Sequence, residues 1–176
     1  MSDEFIIECE NVKFSYPASE VPALNGVSFN IKRGEFVSVI GHNGSGKSTL
    51  ARLINGLLEA DEGKISVFGM DVSERKNVLE IRKRVGIVFQ NPDNQMVASI
   101  VEDDVAFGPE NIGISREEIG ERIDWALEAV GMTKYRNATP ARLSGGQKQR
   151  IAVAGVLAIR PDVLILDEST AMLDPK

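Results

Sequence analysis

The stretch that decides the fold is Phe36-Val-Ser-Val-Ile40 followed by Gly41-His-Asn-Gly-Ser-Gly46-Lys47-Ser48-Thr49. Phe36 to Ile40 is a short apolar run, the pattern of a strand covered on both faces. It enters a glycine-rich loop that matches G-x-x-x-x-G-K-[ST]. Beyond the loop, Leu50, Leu53, Ile54 and Leu57 recur at helical spacing. Strand, loop and helix in this order turn backbone N–H groups inward around an anion, and the helix N-terminus adds partial positive charge. Gly41, Asn43, Gly44, Ser45 and Gly46 are therefore candidate phosphate-cradling positions. Lys47 is placed to reach β and γ phosphates, the Ser48 hydroxyl to ligate Mg²⁺, and Thr49 to hold an α-phosphate. His42, the single histidine, sits at a variable loop position and is read as contributing backbone only.

A second strand–acid junction lies near the other end. Val163-Leu-Ile-Leu166 reads as a buried parallel strand, and it delivers Asp167 and Glu168 to the carboxyl edge of a sheet. Asp167 is the candidate for holding Mg²⁺, and Glu168 for polarising an attacking water as general base. Further strands are expected at Glu4 to Phe14, Gly26 to Ile31, Lys64 to Phe68 and Val85 to Phe89. Arg33-Gly34-Glu35 reads as a turn. From about Gln90 to Arg142 the pattern turns helical. Ser115 and Glu118 fit a capping box, Ile119, Ile123, Ala126, Leu127 and Val130 mark one apolar face, and Gly131 is a stop. Another helix is expected from near Ser144, with Ile151, Ala154 and Ala158 on one side. Strands, a helical insert and a returning strand make an α/β core with a helical subdomain.

The chain has 176 residues, enough to bury a sizeable core, and a formal charge of −6. That balance argues against non-specific nucleic-acid binding and for no nucleic-acid partner. Cys9 is the single cysteine, so no internal disulfide forms, and it reads as a small buried strand residue. No apolar run approaches the roughly 20 residues needed to span a bilayer. The start, Met1-Ser-Asp-Glu-Phe5, is acidic, unlike a signal peptide. The expected location is the cytoplasm, with any membrane role supplied through a partner. Trp125, on the capped helix, is expected to pack rather than to stack on a base.

Leu143-Ser144-Gly145-Gly146-Gln147 adds a third element. A serine at a helix start followed by two glycines exposes N–H groups and a hydroxyl at the positive end of a helix, a second anion site. This pentapeptide resembles the signature of the ATP-binding-cassette (ABC) ATPases, and the resemblance runs along the whole chain. It implies a P-loop NTPase core of about residues 1–90 and 160–176, with an N-terminal antiparallel β-subdomain and a helical signature subdomain of about 91–159. It implies ATP and Mg²⁺ as cofactors and a head-to-tail pair of cassettes. There Ser144, Gly145, Gly146 and Gln147 of one copy meet the ATP held by the phosphate loop of the other. It further implies that Gln90 senses Mg²⁺ and the attacking water, that Tyr16 stacks on adenine, and that Asp174 couples the two sites.

Gln90-Asn-Pro-Asp-Asn-Gln95, Val101-Glu-Asp-Asp-Val-Ala-Phe-Gly108 and Glu168-Ser-Thr-Ala-Met-Leu-Asp-Pro175 resemble the A components of energy-coupling-factor transporters, the cobalt- and vitamin-importing branch. That implies two A-type ATPases, identical or related, on a transmembrane coupling protein that carries a substrate-binding membrane subunit. Asp93, Asn94, Gln95 and Met96 are the candidates for the groove that receives the coupling helices, with subdomain packing as the other reading of Met96 and Val97. Two alternatives stay open: a soluble non-transport ABC ATPase, and a nucleotide-binding fragment without autonomous hydrolysis. The family's pattern places a switch histidine beyond Asp174, and the sequence stops at Lys176. The expectation is a truncated cassette lacking its C-terminal part.

Overall fold

The computed structural model describes residues 5–17 and 19–168. The chain divides into two compact units at the Arg82/Lys83 boundary. In the first, strands β1 (Phe5–Phe14), β2 (Leu24–Lys32), β3 (Glu62–Val67) and β4 (Met70–Asp71) form one sheet in the order β2-β1-β3-β4. Every neighbouring pair is antiparallel, with Cys9 opposite Phe29 on one side and Ile65 on the other. β1 buries Ile7, Cys9 and Val12, and β2 half-buries Val27, Phe29 and Ile31 in the expected alternation. Burial pushes the Cys9 thiol up to about 12, so it behaves as a small apolar side chain. Helix α1 (Lys47–Ile54) lies against β3 and buries Leu50, Leu53 and Ile54.

Helix α2 (Arg75–Arg84) was not foreseen in the sequence. Its ten residues bury only Ile81, so no apolar stripe betrays it. It leads into the second unit, where β5 (Val85–Val88) pairs in parallel with β6 (Val163–Leu166), Ile87 opposite Ile165. Helices α3 (Val101–Asn111), α4 (Arg116–Ala129) and α5 (Gly145–Ile159) pack around Val105, Ile123, Leu127, Met132, Ile151, Ala154 and Ala158. α5 has a second apolar face, where Ala152 and Val156 meet Val88 of β5. One helix thus touches both the helical core and the parallel strands.

Three expectations are corrected. Phe36 to Ile40 is not a strand, and Phe36 and Ile40 are 96% and 93% exposed. A strand exists only as part of a ladder, and no described strand pairs with this segment. β6 is not buried on both faces, because Leu164 and Leu166 are 40% and 48% exposed. Apolar runs report that residues favour burial, not which element supplies the cover. The capping box at Ser115 is half made: Ser115 Oγ accepts from the Glu118 N–H, but the Glu118 carboxylate turns to Arg122. Trp125 is half-exposed on α4 and packs against the Arg160 guanidinium, which lies over its ring.

Candidate functional site

The first unit carries the glycine loop. Gly46 caps α1 in the left-handed region, at φ 91°, where its hydrogen points at the Ala23 carbonyl. A Cβ there would stand 2.4 Å from that oxygen, which no side chain tolerates. A Cβ on Gly41 would stand 2.5 Å from Ser45 Oγ. Gly46 thus lets the end of the loop pack on the chain entering β2, and Gly41 lets the loop close on Ser45, a tight backbone path of the kind an anion cradle of N–H groups needs. The Lys47 ammonium lies at its mouth and donates to the carbonyls of Gly41 and His42 at 3.0 and 3.1 Å. His42 is exposed and turns its Nδ1 to the Asn43 carbonyl, which leaves its backbone as its part in the loop. Asn43 and Gly44 form the exposed crest, and Ser45 and Ser48 are half-buried.

Tyr16, just after β1, is brought to the same place. Its hydroxyl and Thr49 Oγ1 lie 3.2 Å apart, and its ring meets Phe14 edge-on at 4.9 Å between centroids. More than a third of Tyr16 remains exposed, so a π-face stands beside the start of α1. Nothing in the spacing of Tyr16 and Thr49 signals this contact. It arises because β1 and α1 belong to one unit.

The second unit carries the acids. The buried Asp167 follows β6, and its N–H donates to the Val88 carbonyl at 2.9 Å, prolonging the parallel ladder by one residue. Glu168 sits next to it at φ 49°, left-handed and exposed. That backbone turn carries the Glu168 carboxylate to Gln90, whose Nε2 donates to it at 2.8 Å. Gln90 follows β5, the ladder partner of β6, so one hydrogen-bonded pair of strands aligns both side chains.

The Ser144 start of α5 is a complete capping box. The Ser144 N–H donates to Gln147 Oε1 at 2.8 Å, and the Gln147 N–H to Ser144 Oγ at 3.4 Å. Gln147 also donates to the Tyr135 hydroxyl at 2.7 Å. Both ends of its amide are thus used in shaping the turn, while Gly145 and Gly146 present bare backbone beside Ser144 at the positive helix end. The candidate docking segment divides. Asp93 and Asn94 are exposed on a 3-10 turn, Pro92–Asn94. The Gln95 amide is instead folded onto the end of β5, accepting from the Phe89 N–H at 2.7 Å and donating to the Ile87 carbonyl at 3.2 Å. Met96 packs on the helical core and Val97 is exposed. Asp174 lies outside the described residues.

The comparisons extend this geometry. A family model described as ABC transporter matches residues 24–171. The chain is 60% identical to the energy-coupling factor transporter ATP-binding protein EcfA1 of Lactococcus lactis subsp. lactis, over 97% of this chain and 61% of that protein. It is 59% identical to EcfA1 of Streptococcus pyogenes serotype M5, over 97% of this chain and again 61% of that one. The chain therefore spans about three fifths of these relatives. Among solved structures, cbiO1 from Clostridium perfringens, described as part of the ABC transporter complex cbiONQ, superposes with a TM-score of 0.83 at 42% identity. That match covers 98% of this chain and 68% of cbiO1. The cassette MJ0796, solved as a dimer in a post-hydrolysis state with ADP and Pi, superposes with a TM-score of 0.87 at 32% identity, over 96% of this chain and 76% of that one. With the glycine loop, the acidic strand end and the capped Ser-Gly-Gly turn in place, the chain belongs to the ABC transporter family and is similar to energy-coupling-factor ATP-binding proteins.

Proposed function

We propose that this chain is the nucleotide-binding part of an energy-coupling-factor ATPase subunit that binds and hydrolyses ATP to drive uptake of a vitamin or metal ion. The observation that carries the reading is the closed glycine loop at the start of α1, where Gly46 admits no Cβ and Lys47 stands at the rim. The loop N–H groups and Lys47 bind the phosphates, Thr49 holds the α-phosphate, and the exposed face of Tyr16 takes the adenine. Mg²⁺ would be held by the Ser48 hydroxyl of the first unit and by Asp167 and Gln90 of the second, each an oxygen donor suited to a hard cation. When bound, it neutralises phosphate charge. Glu168 takes a proton from the attacking water as general base, and Gln90 orients it.

Ser144, Gly145 and Gly146 face the γ-phosphate of an ATP in a second ATPase subunit, and Gln147 holds their turn. Asp174 couples the two sites. The resident face of the membrane partner, a transmembrane coupling protein with its substrate-binding subunit, is Asp93, Asn94 and Val97 rather than Gln95 or Met96, whose side chains are turned inward. No described helix is long and apolar enough to cross a membrane. In the proposed complex the chain sits at the cytoplasmic face, held there by that partner.

The test is ATP binding and phosphate release by the full-length protein. Lys47→Ala is expected to abolish binding, and Glu168→Gln to keep binding while losing turnover. Steady turnover by Glu168→Gln removes Glu168 as the base, and unchanged ATP affinity in Lys47→Ala removes the loop as the phosphate site.

A further inference from the structure

Gln149 is a polar side chain of α5 with no exposed surface, turned to the chain just past β5. Its Nε2 donates to the Phe89 carbonyl at 3.4 Å, a long bond, and its Oε1 is buried without a partner among the described residues. An amide that loses its water and regains only one weak bond is a net cost to the folded chain, and an apolar side chain of the same shape would avoid it. Ala152 and Val156, three and seven residues further on and on the same face of the helix, show that this packing accepts apolar groups.

The position of the amide suggests what it is for. Phe89 is the residue before Gln90, and Gln90 holds the Glu168 carboxylate. Gln149 lies on α5, four residues after Gly145, in the helix whose first turn carries Ser144 and the two glycines. A neighbouring residue of the same helix, Lys148, is half-buried and pairs with Asp93 at 2.7 Å, three residues beyond Gln90. α5 thus grips the segment at Phe89 and at Asp93, on both sides of Gln90, while Gln95 anchors the segment to β5.

We propose that Gln149 is a positioning residue that couples α5 to Gln90, and that its unused oxygen accepts a backbone N–H of the Gln90–Asn91 segment when that segment moves to its hydrolytic position. The group is poised between two arrangements, and a shift of α5 is passed to Gln90 and so to Glu168. This rests on the proposed ATPase reading. It adds a relay within one subunit, running from the Ser144 turn to the general base.

The test uses Gln149→Met in the full-length protein, since methionine preserves length and flexibility and removes the polar atoms. The expected result is an unchanged or higher melting temperature, ATP affinity and KM within twofold of the parent, and kcat lowered at least tenfold. Parent-like kcat together with a higher melting temperature makes Gln149 a mere packing defect and overturns the relay. A second measurement stands apart from the folding of that variant. In the Glu168→Gln protein, ATP binding is expected to slow amide hydrogen exchange at Gln90 and Asn91, and unchanged exchange there also overturns the relay. Absence of turnover in the parent protein overturns the ATPase reading itself, whereas parent turnover matched by Gln149→Met overturns the relay alone.

Discussion

The Gln90 side-chain amide donates to the Glu168 carboxylate across 2.8 Å, joining two residues that are 78 positions apart. The contact follows from strand pairing. β5 and β6 run parallel with Val88 opposite Leu166, so the residues just past each strand emerge at the same edge. Glu168 reaches Gln90 through a left-handed backbone turn, a conformation that costs a non-glycine residue energy and is concentrated at functional positions.

Gln90→Ala is expected to leave the chain folded and nucleotide affinity within about twofold of the parent. It is expected to lower turnover by roughly ten- to a hundredfold, because Glu168 and the water lose a common positioning partner. Phosphate release under saturating ATP, set beside equilibrium binding, separates the two effects.

Gly46→Ala is expected to destabilise the chain by about 2–4 kcal/mol. The added Cβ collides with the Ala23 carbonyl at 2.4 Å and with Leu24 Cδ2 at 2.8 Å, and φ 91° is itself unfavourable for alanine. Urea denaturation of parent and variant measures the difference, and loss of ATP binding accompanies it. An unchanged midpoint contradicts the close approach at Gly46.

Arg122→Leu is expected to cost about 2 kcal/mol. The buried Arg122 guanidinium donates to the carbonyls of Ala158 and Ile159 at 3.2 and 2.9 Å, at the C-terminus of α5, and pairs with Glu118 on its own helix. Leucine keeps the packing volume and leaves those helix-end carbonyls without their cation. The loss is read by urea denaturation, and Arg122→Lys is expected to restore part of it.

Acid titration tests the link between α3 and the segment after α4. The Arg136 guanidinium, bonded to Glu102 at 2.7 Å and paired with Asp124, holds the Glu102 carboxyl below the ordinary carboxylate range. Ser73 does the same for Asp71 through its hydroxyl and N–H. A carboxylate whose folded pKa is depressed contributes stability that is present above its unfolded pKa and is lost as pH falls through the folded value. Between about pH 5 and pH 3 the parent's melting temperature is therefore expected to fall more steeply than that of Glu102→Gln. Both groups are solvated enough that the difference is modest, and equal slopes would remove the pair as an acid-labile contact.

Much of the site was legible because its residues are contiguous. Gly41 to Thr49, Leu143 to Gln147 and Val163 to Glu168 each carry their chemistry in a short run, and local backbone geometry turns such a run into a loop, a capped turn or a strand end. The long-range partners were not legible. Tyr16 meets Thr49, Gln149 meets Phe89 and Lys148 meets Asp93 only after strands and helices pack, and no spacing in the chain encodes those meetings. Gln95 and Met96 read as surface candidates because an amide and a thioether suit either side of a surface. Their inward turn was decided by the Phe89 N–H and Ile87 carbonyl that the Gln95 amide meets and by the helical core that receives Met96.

The sequence by itself determined the glycine loop, the acids after an apolar strand, the Ser-Gly-Gly helix start and the α/β class. Periodicity, turn chemistry and charge act over a few residues and survive without any tertiary context. Tertiary structure alone decided that Phe36 to Ile40 stands exposed and outside the ladders of the described strands. It decided that β6 is covered on one face, that Gln90 meets Glu168 at the ends of two parallel strands, and that the buried Gln149 reaches the Phe89 carbonyl. The reason is physical: hydrogen-bond ladders and burial are properties of pairs of elements, and a single run of residues specifies only one member of each pair.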